Sequence, residues 1–282
     1  MKFTPFSLNV KGRLCSFGQP AVMGIINLTP DSFYAGSRHA DPADAARTAR
    51  KMVDAGAAML DLGAYSSRPG AAEVSQEEET DRLCGGVEAV RAEVGPDVLI
   101  SVDTFRAGVA REAVTVCGAD IVNDISGGEL DAAMFETVAA LGCPYVLMHM
   151  RGTPATMQSM TDYDDVSAEV ATYLSKRAAE LHDLGVSDII FDPGFGFSKT
   201  LEQNYRLLGA LDSIAPAGMP VLAGMSRKSM LSRLPGVAPE AIVAATTAVN
   251  VLALERGAAI LRVHDVAEAV AAVAVTEALY KC

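Results

Sequence analysis

Three polar side chains each follow an apolar, β-branched run of this sequence. They are Asp103, Asn123 and Asp192. A carboxylate at the tip of a buried strand is costly unless it meets a partner. Together these groups suit a flat heterocycle with several N–H donors, such as an amino-substituted pterin or purine. Lys228 would then donate to a ring carbonyl or ring nitrogen.

A second group of polar side chains follows other apolar runs and contains the cations that a bound anion needs. Its members are Asn27, Ser67, Arg68, Arg262 and His264. Arginine and protonated histidine donate charge-assisted hydrogen bonds to phosphate or carboxylate oxygens. Surface salt bridges are the alternative explanation for each of these residues taken singly.

Other features near the strand ends have simpler explanations. Asp124, Thr200 and Asp265 are equally well explained as helix N-caps, whose oxygen accepts from the first free backbone N–H groups. The stretch GFGFSKT lacks the third glycine of a dinucleotide fingerprint, and GMSRKS lacks the second glycine of a Walker A loop. Neither stretch alone indicates a nucleotide site.

The elements that must position these residues alternate regularly along the chain. Apolar runs are followed by stretches with apolar residues three and four apart, which is typical of strands followed by amphipathic helices. The runs are 21–28, 58–64, 98–103, 120–125, 145–150, 188–193, 220–226 and 259–264. The helical stretches are 42–55, 75–93, 106–117, 131–141, 164–184, 200–212, 238–256 and 265–280.

This alternation predicts an α/β fold, a single (β/α)8 TIM barrel, with a doubly wound open sheet as the alternative. Residues 1–20 are predicted to form a short β-hairpin before the barrel. No linker interrupts the pattern, so residues 1–282 are interpreted as one domain. In such a barrel the active site lies at the carboxyl ends of the strands, where the polar residues above would meet.

Composition excludes several classes of protein. The formal charge of −12 argues against a general nucleic-acid binder, because that affinity rests on many Lys and Arg residues. No run of about 18 apolar residues indicates a membrane span, and no targeting segment opens the chain. The five cysteines form no C-x-x-C pair. We therefore predict reduced thiols and a cytoplasmic location.

Four motifs, taken together and in order, resemble those of the dihydropteroate synthase family of pterin-binding barrels. They are MGIINLTPDSF (23–33), SSRPGA (66–71), IIFDPGFGFSKT (189–200) and MSRKS (225–229). SVDTFR, VNDISGG and the late RVHD fall between and after them in family order. The resemblance covers about residues 21–280.

The resemblance implies a transferase that joins p-aminobenzoate to 6-hydroxymethyl-7,8-dihydropterin diphosphate. It would release pyrophosphate and form 7,8-dihydropteroate for folate synthesis, in an SN1-like reaction that sulfonamides inhibit. The implied pterin site consists of Asp103, Asn123, Met148, Asp192, Phe197 and Lys228. The implied diphosphate site consists of Asn27, Ser67, Arg68, Arg262 and His264, with Asn27 also the ligand of a Mg²⁺ cofactor.

The resemblance also implies an aminobenzoate site and a set of catalytic residues. Phe33, Pro69, Lys228 and Ser229 would contact p-aminobenzoate. Asp103, Lys228, Arg68, Ser67 and Phe33 would carry catalysis. The two loops after the first two barrel strands would close over the substrates, and the protein would be a homodimer without nucleic-acid or membrane partners.

One departure and two competing functions remain. Many members of the family carry Gly-Glu-Ser-Thr-Arg where this chain has Ala64 to Arg68, so that Tyr65 replaces an acidic residue. A pterin-binding methyltransferase that feeds a corrinoid would share the barrel, but it would not need the RPGA loop or the cations. A non-catalytic pterin-binding subunit would be expected to have lost some of the residues that this chain keeps.

Overall fold

A β-hairpin precedes the barrel, as predicted. The computed structural model describes residues 3–29, 41–65 and 74–281. Strands β1 (Phe6–Val10) and β2 (Arg13–Phe17) pair antiparallel. Lys11 and Gly12 form the turn between them, with φ angles of 51° and 83°. Two successive positive φ angles are typical of the type I′ turn, whose twist matches that of the paired strands.

Within the described residues, eight parallel strands form the barrel, which confirms the (β/α)8 prediction. They are β3 (Ala21–Asn27), β4 (Met59–Gly63), β5 (Leu99–Asp103), β6 (Ile121–Asp124), β7 (Tyr145–Met148), β8 (Ile189–Asp192), β9 (Leu222–Ala223) and β10 (Ile260–Val263). Each pairs with its neighbour, and β10 pairs with β3. A parallel bridge between Phe191 and Val221 joins β8 to the β9 segment. The ring is therefore closed, unlike a doubly wound sheet.

Helices follow the strands and cover the outside of the barrel. They are α1 (Pro42–Asp54), α2 (Gln76–Val94), α3 (Ala107–Thr115), α4 (Met134–Leu141), α5 (Val166–Asp183), α6 (Leu201–Gly209), α7 (Ser229–Ser232), α8 (Ile242–Glu255) and α9 (Val266–Lys281). Thr200 caps α6 and forms a capping box with Gln203, as its sequence position suggests. The short α7 and the early end of β9 were not predicted.

Side chains inside the barrel change from apolar to polar along the strand direction. Met59, Leu99, Ile190 and their neighbours form an apolar floor, which packs on Leu8 and other residues of the hairpin. Two residues further along each strand the inward positions are largely polar, because inward side chains recur every second residue. The hairpin therefore closes one end of the barrel, and the polar groups lie towards the other end.

The prediction of reduced cysteines is wrong for one pair. Cys84 in α2 and Cys117, just after α3, form a disulfide with a Cα–Cα distance of 5.2 Å. Cys15 and Cys143 are free, as predicted. The two helices pack side by side and bring together residues 33 positions apart, which the spacing of cysteines in the sequence does not reveal.

None of the described helices is long and apolar enough to cross a membrane.

Candidate active site

A cavity of about 1130 Å³ opens at the carboxyl ends of the barrel strands. It is lined by every predicted site residue that the structure describes. These are Asn27, Asp103, Asn123, Met148, Asp192, Phe197, Lys228, Ser229, Arg262 and His264. Four further predicted residues, Phe33, Ser67, Arg68 and Pro69, lie outside the described residues. The strands and the loops after them thus bring the described members of the three predicted sites to one place.

Asp192 ends β8 deep in this cavity and is only 5% exposed. Its Oδ1 accepts a hydrogen bond of 2.7 Å from the backbone N–H of Gly194. Gly194 has φ +70°, and a Cβ there would lie 2.0 Å from the carbonyl oxygen of His149. Only glycine fits that turn. Burial raises the pKa of Asp192, while the nearby Lys228 cation opposes the rise.

Asp103 and Arg262 form an ion pair on adjoining parts of the cavity wall. Arg262 Nη2 donates to Asp103 Oδ2 at 2.8 Å. Burial raises the pKa of Asp103 to about 7; Arg262 opposes that rise, and the neighbouring Asp61 carboxylate adds to it. The structure therefore places Arg262 among the predicted pterin carboxylates.

Asp61 is a buried residue of this site that the sequence prediction missed. Its Oδ2 accepts from Arg262 Nε at 2.6 Å and from Asn123 Nδ2 at 3.1 Å. It lies in the middle of β4, two residues beyond the floor residue Met59, and therefore on the inward face. The sequence signal that could have revealed Asp61 is a carboxylate inside an apolar strand, at a position whose side chain points into the barrel.

Lys228 lies at the turn between β9 and α7. Its Nζ donates to the carbonyl oxygen of Phe195 at 2.5 Å and lies 4.7 Å from the centre of the Phe197 ring. Burial lowers the pKa of Lys228 to about 8, with Asp192 opposing the shift. The cation thus stays close to Asp192 and to an aromatic wall.

The residue before Lys228 fixes the turn that follows β9. Arg227 has φ 56°, a left-handed conformation that cannot continue a strand. Its guanidinium forms two bonds to Asp265, with Nε donating to Oδ2 at 2.8 Å and Nη2 to Oδ1 at 2.5 Å. Asp265, suggested as a helix cap, therefore connects the loop after β9 to the loop after β10. The pair supports the turn that carries Lys228.

His264 is held by Ser226, with Nδ1 lying 3.0 Å from the serine Oγ. Burial, followed by the positive charges of Arg262 and Arg227, lowers the pKa of His264 to about 4. The imidazole is therefore neutral near pH 7, and the prediction that His264 is one of the cations is wrong. It can act there as a hydrogen-bonding group.

Two charged groups near the cavity, Lys199 and Asp124, have structural partners of their own. Lys199 Nζ lies 3.0 Å from the carbonyl oxygens of Gly194 and Phe197, to which it donates, and 3.0 Å from His149 Nδ1. Asp124 accepts from Gly128 N and from the Tyr145 hydroxyl. Both groups fix loops around the site. The helix-cap role suggested for Asp124 is wrong, because α4 begins only at Met134 and the Asp124 carboxylate instead accepts from the backbone of Ser126 and Gly128 in the loop after β6.

Comparison with known proteins identifies the family. The family model described as "Pterin binding enzyme" matches residues 23–264. The dihydropteroate synthase of Escherichia coli strain K12 is 45% identical over 96% of this chain and 95% of its own length. The chain belongs to the dihydropteroate synthase family. It is therefore a transferase of folate synthesis, and the resemblance stated from the four motifs is confirmed.

Solved structures of the dihydropteroate synthase family have the same fold. The Yersinia pestis enzyme in complex with a sulfonamide drug has a TM-score of 0.89 and 39% identity, covering 98% of this chain and 99% of its own. The Burkholderia cenocepacia enzyme complexed with 7,8-dihydropteroate has a TM-score of 0.87 and 41% identity, covering 99% and 98%. This agreement does not favour a corrinoid-linked methyltransferase.

Proposed function

We propose that the cavity binds 6-hydroxymethyl-7,8-dihydropterin diphosphate below p-aminobenzoate and joins them into 7,8-dihydropteroate. The observation that carries this proposal is the meeting of Asp103, Asn123, Asp192 and Lys228 in one cavity at the barrel end. The product named for the Burkholderia cenocepacia structure supports it, because that molecule contains both substrates. Sulfonamides would compete for the aminobenzoate position.

Carboxylates on the cavity wall would select the pterin. Asp192 would accept from the amino group and ring N–H of the aminopyrimidine edge, as charge-assisted bonds. Asn123 and Lys228 would bond the remaining ring atoms, while Met148 and Phe197 would pack against the ring faces. A site built from buried hydrogen-bonding groups rejects ligands that cannot satisfy them.

The mouth of the cavity would take the diphosphate. Asn27 and His264 would donate to it, with Ser67 and Arg68 from outside the described residues. Arg262, which bonds Asp61 and Asp103, would favour the anion by its charge. Among the described residues no cluster of three or more His, Cys, Asp or Glu side chains forms a metal site. A single amide oxygen from Asn27 fits Mg²⁺ that is held mainly by substrate phosphates and water. Such Mg²⁺ would neutralise charge on the leaving group.

The proposed reaction begins with cleavage of the bond between the pterin methylene carbon and the diphosphate oxygen. The bonding electron pair leaves with pyrophosphate, and the remaining cation is delocalised into the dihydropterin ring. The Asp103 carboxylate would stabilise that positive charge through space. Phe33 and Pro69 would contact p-aminobenzoate, and Ser229 would lie near its carboxylate. The aniline nitrogen would attack the methylene and then lose a proton to solvent.

The first experiment measures pyrophosphate release by the purified chain with dihydropterin diphosphate, with and without p-aminobenzoate and with and without Mg²⁺. Dihydropteroate formation that needs both substrates supports the proposal. Tight binding of the pterin diphosphate, with no release of pyrophosphate under any of these conditions, would favour a non-catalytic pterin-binding subunit instead.

The pH dependence of kcat/KM is expected to be bell-shaped with limbs near pH 7 and pH 8. Asp103 must be ionised, so activity falls as pH drops through its pKa of about 7. Lys228 must be protonated, so activity falls as pH rises through its pKa of about 8. Initial rates at low pterin concentration between pH 5.5 and 9.5 measure the profile of the free enzyme. A flat profile across this interval would contradict both assignments.

The homodimer is also a proposal, and its interface would be the outer face of α8 and α9. Leu252, Val275 and Leu279 on these neighbouring helices are exposed by 52%, 66% and 66%. Adjacent exposed leucines and valines are unusual on a solvated helix face and typical of interfaces. A second copy would cover this face.

Charge placed on that face is expected to separate the subunits. The double variant Val275→Asp/Leu279→Asp should raise the dimer dissociation constant at least about 100-fold, because two buried apolar contacts become unpaired charges. Sedimentation equilibrium would measure this constant. Leu184→Asp, a change at an exposed leucine beyond α5, is the control and should leave the dimer intact. A double variant that remains a dimer would exclude this interface.

The cytoplasm stays the predicted compartment. Thioredoxin and glutathione keep most protein thiols reduced there. The Cys84–Cys117 disulfide is unusual for that compartment, where disulfides are rare.

A further inference from the structure

We propose that Asp61 is a positioning residue of the active site, which fixes Arg262 so that Asp103 keeps one oxygen for the substrate. The proposal deepens the proposed function and rests on it. Asp61 is fully buried, and its Oδ2 bonds both Arg262 and Asn123. Two predicted substrate residues are thus held by one carboxylate.

The surroundings of Asp61 include buried polar atoms that cost folding stability. Its Oδ1 has no hydrogen-bond partner within the described part of the chain. Ser101, which is paired with Asp61 in the register of β4 and β5, also has a buried hydroxyl without a partner among the described residues. Leaving buried polar atoms unpaired destabilises a folded protein. At comparable inward positions β3 and β7 carry the apolar Ile25 and Met148.

The geometry shows what Asp61 does for Asp103. Arg262 Nε donates to Asp61 Oδ2 at 2.6 Å, and Arg262 Nη2 lies 2.5 Å from the same oxygen. Of the two carboxylate oxygens of Asp103, Nη2 bonds only Oδ2, at 2.8 Å. An unrestrained guanidinium would instead offer two parallel N–H groups to both oxygens of a carboxylate. Asp61 prevents that bidentate pair and leaves Asp103 Oδ1 for the developing positive charge.

Two variants test this assignment against a role in folding. Asp61→Leu removes the oxygen that holds Arg262 Nε, and kcat should fall about 100-fold, as expected when catalytic groups are displaced by about an ångström. Asp61→Asn keeps one oxygen and should lose only about 10-fold. KM for p-aminobenzoate should change little. The melting temperature of Asp61→Leu should fall, because Arg262 loses one of its two carboxylate partners inside the barrel, so kcat is measured well below that temperature.

Ser101→Ala is the matched control. It removes the neighbouring unpaired hydroxyl without touching Arg262, and it should keep wild-type kcat. Wild-type kcat in Asp61→Leu, assayed well below its melting temperature, would overturn the proposal, as would an equal loss of kcat in Ser101→Ala.

A crystal structure of Asp61→Leu separates this proposal from the proposed function. It should show the Arg262 guanidinium bonded to both oxygens of Asp103. An unmoved guanidinium would overturn the proposal, whether or not the wild-type chain turns over. Absence of turnover in the wild type, with the guanidinium moved as expected in the variant, would count against the proposed function alone.

Discussion

Replacing Asp192 with asparagine is expected to lower kcat/KM for dihydropterin diphosphate about 1000-fold. The asparagine amide would present a donor to the donor edge of the pterin, and the lost charge would weaken each remaining bond. Its oxygen could still accept from Gly194 N, which lies 2.7 Å from Asp192 Oδ1, so the loop should keep its conformation. Steady-state rates and direct pterin binding by calorimetry would measure the effect.

The matched control for this variant is Asp183→Asn, at an exposed aspartate at the end of α5. It makes the same chemical change far from the cavity and should keep wild-type rates. A loss of less than about 10-fold in Asp192→Asn, with the protein folded, would show that Asp192 does not anchor the pterin.

Replacing Lys228 with methionine is expected to lower kcat/KM by roughly 100-fold to 1000-fold. The variant keeps the length of the side chain and its packing beside Phe197, but it removes the cation that faces Asp192. Burial would then raise the pKa of Asp192 without that opposing charge, so more of this carboxyl would be protonated at neutral pH. The same assays and a pH titration of pterin binding would detect both consequences.

A double-mutant cycle tests whether Lys228 acts together with Asp192. If they work as a pair on the same ring, the double variant Asp192→Asn/Lys228→Met should be only slightly worse than the poorer single variant. Effects that add fully would mean that each residue acts alone. Lys176→Met on the exposed face of α5 is the control for loss of one positive charge.

Much of the fold could be predicted because the barrel repeats a simple pattern. The apolar strand runs and amphipathic helices placed the elements within a few residues. The exceptions arise where a local conformation overrides the pattern. Strand β9 ends at Ala223, before the predicted boundary at residue 226. Arg227, in the left-handed region, lies in the turn that follows, and its bonds to Asp265 depend on a contact between loops 38 residues apart. No window of the sequence contains that contact.

The sequence predicted some residues of the candidate site and missed others, for a similar reason. Asp103, Asn123 and Asp192 follow apolar runs, so their place at the cavity follows from the topology. Asp61 was missed because it lies inside a run, where only the inward alternation of β4 distinguishes it. The neutral state of His264 depends on burial beside two arginines, and sequence position does not determine that burial.

The hairpin that closes the barrel floor makes the cavity a blind well with its opening at the strand carboxyl ends. In a well of this kind the deeper reactant has to arrive first. The pterin diphosphate would enter before p-aminobenzoate, and a molecule held in the upper position would trap whatever lies beneath it. An inhibitor that imitates p-aminobenzoate would therefore bind more tightly once the lower position is filled, and its apparent potency would depend on the supply of the other reactant.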